Sequence, residues 1–176
     1  MSHIFLSYSR KDGAYVDALA TQLEQAGFRT WVDRKGIAGG EQWRREIVDA
    51  VRKASLFLLF LSPHSARSEN VRKELDLADQ ARVRILPVAI APIDIPDGMK
   101  YQLAGVQVIE MWRDHDRGAD ALFKTLQRHG MQDANRAARP GSKPAPRREA
   151  GVDLSDLGGS KVLDALRIGR LFGRKR

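Results

Sequence analysis

The chain has no cysteine. That excludes disulfide frameworks, thiolate zinc sites and cysteine nucleophiles, and it suits a reducing compartment such as the cytosol. No apolar run approaches the roughly 20 residues of a membrane-spanning helix. The opening MSHIFLSYSRKD has only a short apolar stretch, ended by polar and charged residues, so a secretory signal is not expected. There is no GxxxxGK[ST] phosphate loop, no GxGxxG at a strand–helix turn and no GxSxG nucleophile elbow. The four histidines, His3, His64, His115 and His129, are scattered without ligand spacing, and no metal or bound cofactor is expected.

Charge of one sign is also scarce where the core should be. Residues 1–130 carry 19 Lys and Arg against 17 Asp and Glu, whereas residues 131–176 carry 11 against 5. The net charge of +8 therefore belongs mainly to the C-terminal part. A near-neutral folded region gives no reason to expect a specific nucleic-acid site there.

What is present organises itself around residues 56–82. Leu56 to Leu61 are six apolar residues in a row, as in a strand buried on both faces. Ser62-Pro63 stops the run, and Ser68 or Asn70 is placed to cap a following helix. On a helical wheel Val71, Leu75 and Ala78 share one side. Glu74 falls at about 300° from Val71, between Ala78 and Ala81, the one acid inside the apolar sector. A carboxylate there is either paired or kept for chemistry.

The rest of the first 130 residues alternates strands with helices. Strands are expected at 3–7, 28–32, 84–90 and 106–111, and helices at 14–26, around Trp43, Ile47, Ala50, Val51 and Ala54, and at 116–128. Gly27 is placed to end the first helix, Asp12 to cap it, and Pro87 suggests an edge or a distortion in the fourth strand. The pattern is that of a single doubly wound, flavodoxin-like, five-stranded and mainly parallel α/β sheet with flanking helices. Residues 131–152, rich in Ala, Arg, Pro and Gly, read as a flexible linker, and 153–176 as a basic tail with a possible short helix.

In such a sheet ligands bind beyond the carboxyl ends of strands one and three, where the winding reverses. The loops there are 7–13 and 62–68, and the second leads into the helix bearing Glu74. Fold logic and the helical wheel thus select one region. Ser7, Tyr8, Arg10 and Lys11 are candidate ligands from the first loop, Arg10 and Lys11 as donors to a pyrophosphate. Tyr8, Trp31 or Trp43 are candidates to stack on a base, with core packing the alternative for Trp43. The Gly-rich loop 33–40, with Asp33, Ile37 and Gly40, is a candidate contact surface.

These segments resemble, in order, a TIR (Toll/interleukin-1 receptor) domain of the bacterial type. IFLSYSRKD resembles its first strand and loop, GFRTWVD its second strand, and the loop before Trp43 its BB loop. LFLLFLSPHSARSENVRKELDLA resembles the third strand and glutamate-bearing helix, and ILPV the fourth strand. The resemblance covers about residues 1–130. It implies a cytoplasmic domain acting in signalling or defence. The implied activity is cleavage of the nicotinamide–ribose bond of NAD as substrate, by hydrolysis or cyclisation, with Glu74 at the catalytic position. The alternative it implies is a non-catalytic scaffold. Other TIR domains, in a homo-oligomer, are the implied partners. Many active members carry tryptophan four residues before the glutamate, where this chain has Asn70. The basic tail suggests an acidic partner or surface.

Overall fold

The computed structural model describes residues 3–33 and 40–129. Five strands form one sheet, β1 (Ile4–Ser7), β2 (Thr30–Val32), β3 (Leu56–Leu61), β4 (Ile85–Ala89) and β5 (Ile109–Glu110). Their order is β2-β1-β3-β4-β5, and every neighbouring pair is parallel. Helices α1 (Gly13–Gln25), α2 (Gly40–Lys53), α3 (Glu69–Gln80), α4 (Asp97–Lys100) and α5 (His115–Arg128) connect and flank them. This is the doubly wound sheet expected, with its winding reversed between β1 and β3.

Strand periodicity divides the core in two. Ile4, Leu6, Leu56, Leu58 and Phe60 face α1 and α5, which contribute Val16, Leu19, Leu23, Leu122 and Leu126. Phe5, Phe57, Leu59 and Leu61 face α2 and α3, which contribute Ile47, Val51, Val71 and Leu75. All six residues of β3 are buried, because helices cover both faces of the central strand. On the second face Phe5 stacks between Trp31 and Phe57, with centroids 4.8 and 5.4 Å away.

The expected elements are present, with shorter ends. Gly27 takes φ +92, its N–H bonds to Glu24 O, and Phe28 N–H reaches back to Leu23 O. This paired closure ends α1 and uses up Phe28, so β2 starts at Thr30 rather than at 28. β5 keeps only two of the six residues expected, since Gly105 takes φ +75 and Val106 N–H turns back to Leu103 O. Asp12 precedes α1 as expected, but its side chain makes no cap bond. Ser68 is the residue that caps α3, accepting from Val71 N–H at 3.4 Å.

Pro87 lies in β4 without distorting it, and β4 is not an edge strand. Phe57 N–H bonds to Arg84 O, and Ile90 N–H to Leu61 O. Even-numbered residues of β4 therefore turn their peptide groups to β3, and odd-numbered residues turn away. Pro87 directs its nitrogen to the far flank, where β5 pairs only with Val88 and Ala89. No ladder bond is lost.

Among the described residues, no helix is long and apolar enough to cross a membrane. Residues 34–39, which include Ile37, and the linker and tail from 130 onward lie outside the described residues.

Candidate active site

The register that buries β1 also builds the site. Phe5 faces α2 and α3, so Ser7, two residues on, turns to the same side at the carboxyl end of the strand. There it meets α3. Val71, Leu75 and Ala78 dock that helix on the sheet, and this fixes the rotation that brings Glu74 over the end of β1. Ser7 Oγ, fully buried, donates to Glu74 Oε2 at 2.7 Å.

Glu74 sits at the base of a cleft of about 250 Å³. Tyr8, Ser9, Arg10 and Lys11 of the β1–α1 loop form one wall. Ser68 and Asn70 at the start of α3, with Asp33 after β2, form the other. The cleft is smaller than the roughly 300–1,000 Å³ of pockets that enclose a drug-sized ligand. Burial pushes the Glu74 carboxyl up to about 7, Ser7 pulling against this and the Asp33 carboxylate adding to it. Carboxyls shifted in this way concentrate at functional sites.

The walls are tied together. Arg10 lies 3.8 Å from the Asp33 carboxylate, which also accepts from Trp43 Nε1 at 3.0 Å. Ser62 Oγ donates to Asp12 Oδ2 at 2.6 Å and accepts from the N–H groups of His64 and Ser65 at 3.1 and 3.0 Å. One buried hydroxyl thus joins the β1–α1 loop to the β3–α3 loop.

The structure brings Ser7, Tyr8, Arg10, Lys11, Asn70 and Glu74 to one cleft. Trp43 does not line it. Its ring packs with the Phe5 cluster and its N–H holds Asp33. Asp33, assigned from sequence to a contact loop, lies in the cleft wall. Gly40 opens α2. Sequence reasoning missed Ser9 and the Asp12–Ser62 tie, although the adjacency of β1 and β3 was signal enough to bring those two loops together. Among the described residues no group of His, Asp and Glu side chains is arranged to hold a metal ion.

A family model described as TIR domain matches residues 4–127. The chain belongs to the TIR domain family. It is 36% identical over 90 residues to the NAD(+) hydrolase PdTIR of Paracoccus denitrificans, a match taking in 48% of this chain and 30% of that protein. An uncharacterized protein, y4cD, of Sinorhizobium fredii is 29% identical over 117 residues, 65% of this chain and 18% of its own length. The matched region thus spans less than a third of either relative. Among solved structures, the TIR domain of the Toll-related receptor TRR-2 of Hydra magnipapillata superposes with a TM-score of 0.58. It is 21% identical and covers 72% of this chain and 99% of that one. A TIR-STING receptor from C. gigas, in complex with 2',3'-cGAMP, gives 0.53 at 23% identity, covering 69% of this chain and 39% of that one. These two likenesses concern the fold.

Proposed function

We propose that this TIR domain cleaves the nicotinamide–ribose bond of NAD, with Glu74 as the catalytic residue. The observation that carries the reading is the half-buried Glu74 carboxylate, hydrogen-bonded to the fully buried Ser7 hydroxyl, at the switch point of the sheet. The TIR relative named as an NAD(+) hydrolase supports it.

The chemistry needs only one acid. Nicotinamide in NAD is already cationic, so as the C–N bond breaks its electron pair leaves with a neutral ring, and no general acid is required. The ribose passes through an oxocarbenium-like state, as in glycoside hydrolysis. Ionised Glu74 stabilises that charge in a desolvated site. Ser7 occupies Oε2 and leaves Oε1 for a ribose hydroxyl. Water, or a nucleophile within the product, then bonds to the anomeric carbon, and its proton goes to solvent. Arg10 and Lys11 at the rim serve the pyrophosphate.

The test is nicotinamide release from NAD by the purified chain, at dilute and at concentrated protein. Glu74→Gln keeps the shape and removes the charge. Turnover should fall at least roughly 10²-fold. Equal turnover by the variant refutes the assignment. One observation favours a second reading, a scaffold working through TIR–TIR association in a homo-oligomer. The cleft lip carries Asn70, which offers no ring to stack on a base. A chain inert toward NAD at every concentration supports that reading instead.

A further inference from the structure

A second concavity, of about 790 Å³, opens at the other end of the sheet. It exists because β5 is short. β4 and the chain at 105–109 diverge below Val88, and α5 roofs the gap. The floor is aliphatic, with Leu56, Leu86, Val106 and Ile109. The rim is cationic. Arg84, Arg117 and Arg128 surround it, while Lys124 is neutralised by Asp120 at 2.7 Å. His129 at the same end receives Arg84, and its pKa is held below the usual value by partial desolvation and by the neighbouring Arg84 and Arg128. Ile85, an odd-numbered residue of β4, turns its peptide groups to this flank.

Such a groove suits an extended polypeptide with apolar side chains for the floor and acids for the rim, as in strand addition to a sheet. Among the described residues no Phe, Tyr or Trp lines it to stack nucleobases. The chain itself contains a matching segment. From 131 to 176 it is strongly basic, yet residues 149–160, EAGVDLSDLGGS, hold Glu149, Asp153 and Asp156 and no base. Three carboxylates answer the three rim arginines. In an extended chain Val152 and Leu154 fall on one side, with Asp156 at the end of that row, and Glu149 and Asp153 on the other. The groove ends at His129, about 20 residues before this segment. A tether of that length has a root-mean-square span of about 25 Å. That gives an effective concentration in the millimolar range, enough for a weak contact to form within one chain.

The geometry points to the groove between β4 and α5 as the docking site for residues 149–160 of the same chain. Docking there anchors the basic residues that follow at the end of the domain away from Glu74. It leaves the cleft open.

Hydrogen exchange on the full chain tests this, with the synthetic peptide EAGVDLSDLGGS as the unprotected reference. Amides of 149–160 should exchange at least about tenfold more slowly in the chain than in the peptide. Arg84→Glu with Arg128→Glu should abolish that protection. So should Asp153→Lys with Asp156→Lys, which changes no residue of the described domain. All four substitutions together should restore it. Four results overturn the proposal. The wild-type segment exchanges at the peptide's rate, or its protection survives reversal of the groove. Protection lost on reversal fails to return in the four-fold variant, or it falls on dilution, which would assign the segment to a second copy.

Discussion

Replacing Glu74 with glutamine should stabilise the domain while disabling it. The native carboxyl is raised from 4.5 to about 7, chiefly by desolvation. Between those values the folded state keeps a proton that the unfolded chain gives up. Stability contributed by this group therefore falls as pH rises from about 4.5 to about 7. Full ionisation in the fold costs about 3 kcal/mol, at one pKa unit per 1.36 kcal/mol. Glutamine accepts from Ser7 as the carboxylate does but carries no charge, so it removes this cost. For a domain of this size that gain raises Tm by roughly 5–10 °C near pH 8. The gain should shrink toward zero as pH falls below about 4.5, where the wild-type residue is protonated in both states. Thermal unfolding of both proteins across that range is the assay. A variant less stable than wild type at pH 8, or a difference independent of pH, would show that Glu74 is a structural partner and not a strained functional charge.

Ser62→Ala removes the hydroxyl joining Asp12 to the β3–α3 loop and should displace Arg10 and Lys11 while sparing the Ser7–Glu74 pair. Steady-state kinetics should show KM for NAD raised several-fold with kcat little changed, and an equal loss in both would count against a purely positioning role. Gly118→Ala places a Cβ 2.7 Å from Met111 Cγ and 2.8 Å from its Cα. The backbone contact cannot yield cheaply, so α5 must shift, at a cost of roughly 1–3 kcal/mol that urea unfolding would report.

The sequence made the architecture legible because its period-2 and period-3.6 patterns were strong at the centre. The six apolar residues of β3 and the Val71–Leu75–Ala78 stripe could belong to little else. The same wheel exposed Glu74, since an acid inside an apolar sector is conspicuous without coordinates. Element ends were less legible because they are set by single backbone conformations. Gly27 was legible as the end of α1, but not that its cap bonds would delay β2, and nothing marked the positive φ of Gly105 that shortened β5. Pro87 argued for an edge because sequence does not say which flank a peptide group faces. The tie between Asp33 and Trp43 was hidden for a related reason. Their roles depend on a hydrogen bond across ten residues, between the end of one strand and the first turn of the next helix.

The measurement closest to the central claim is the pH dependence of nicotinamide release from about pH 5.5 to about pH 8.5. If ionised Glu74 stabilises the ribosyl cation, the rate rises with a midpoint near 7, where burial places this carboxyl. At one unit below the midpoint roughly one site in eleven is ionised, so the rate stands about tenfold under its plateau. Asp33→Asn removes the neighbouring charge that raises Glu74 and moves the midpoint down. Ser7→Ala removes the donor that lowers it and moves the midpoint up. A rate flat across this range, or an acid limb that neither substitution moves, contradicts the assignment of Glu74.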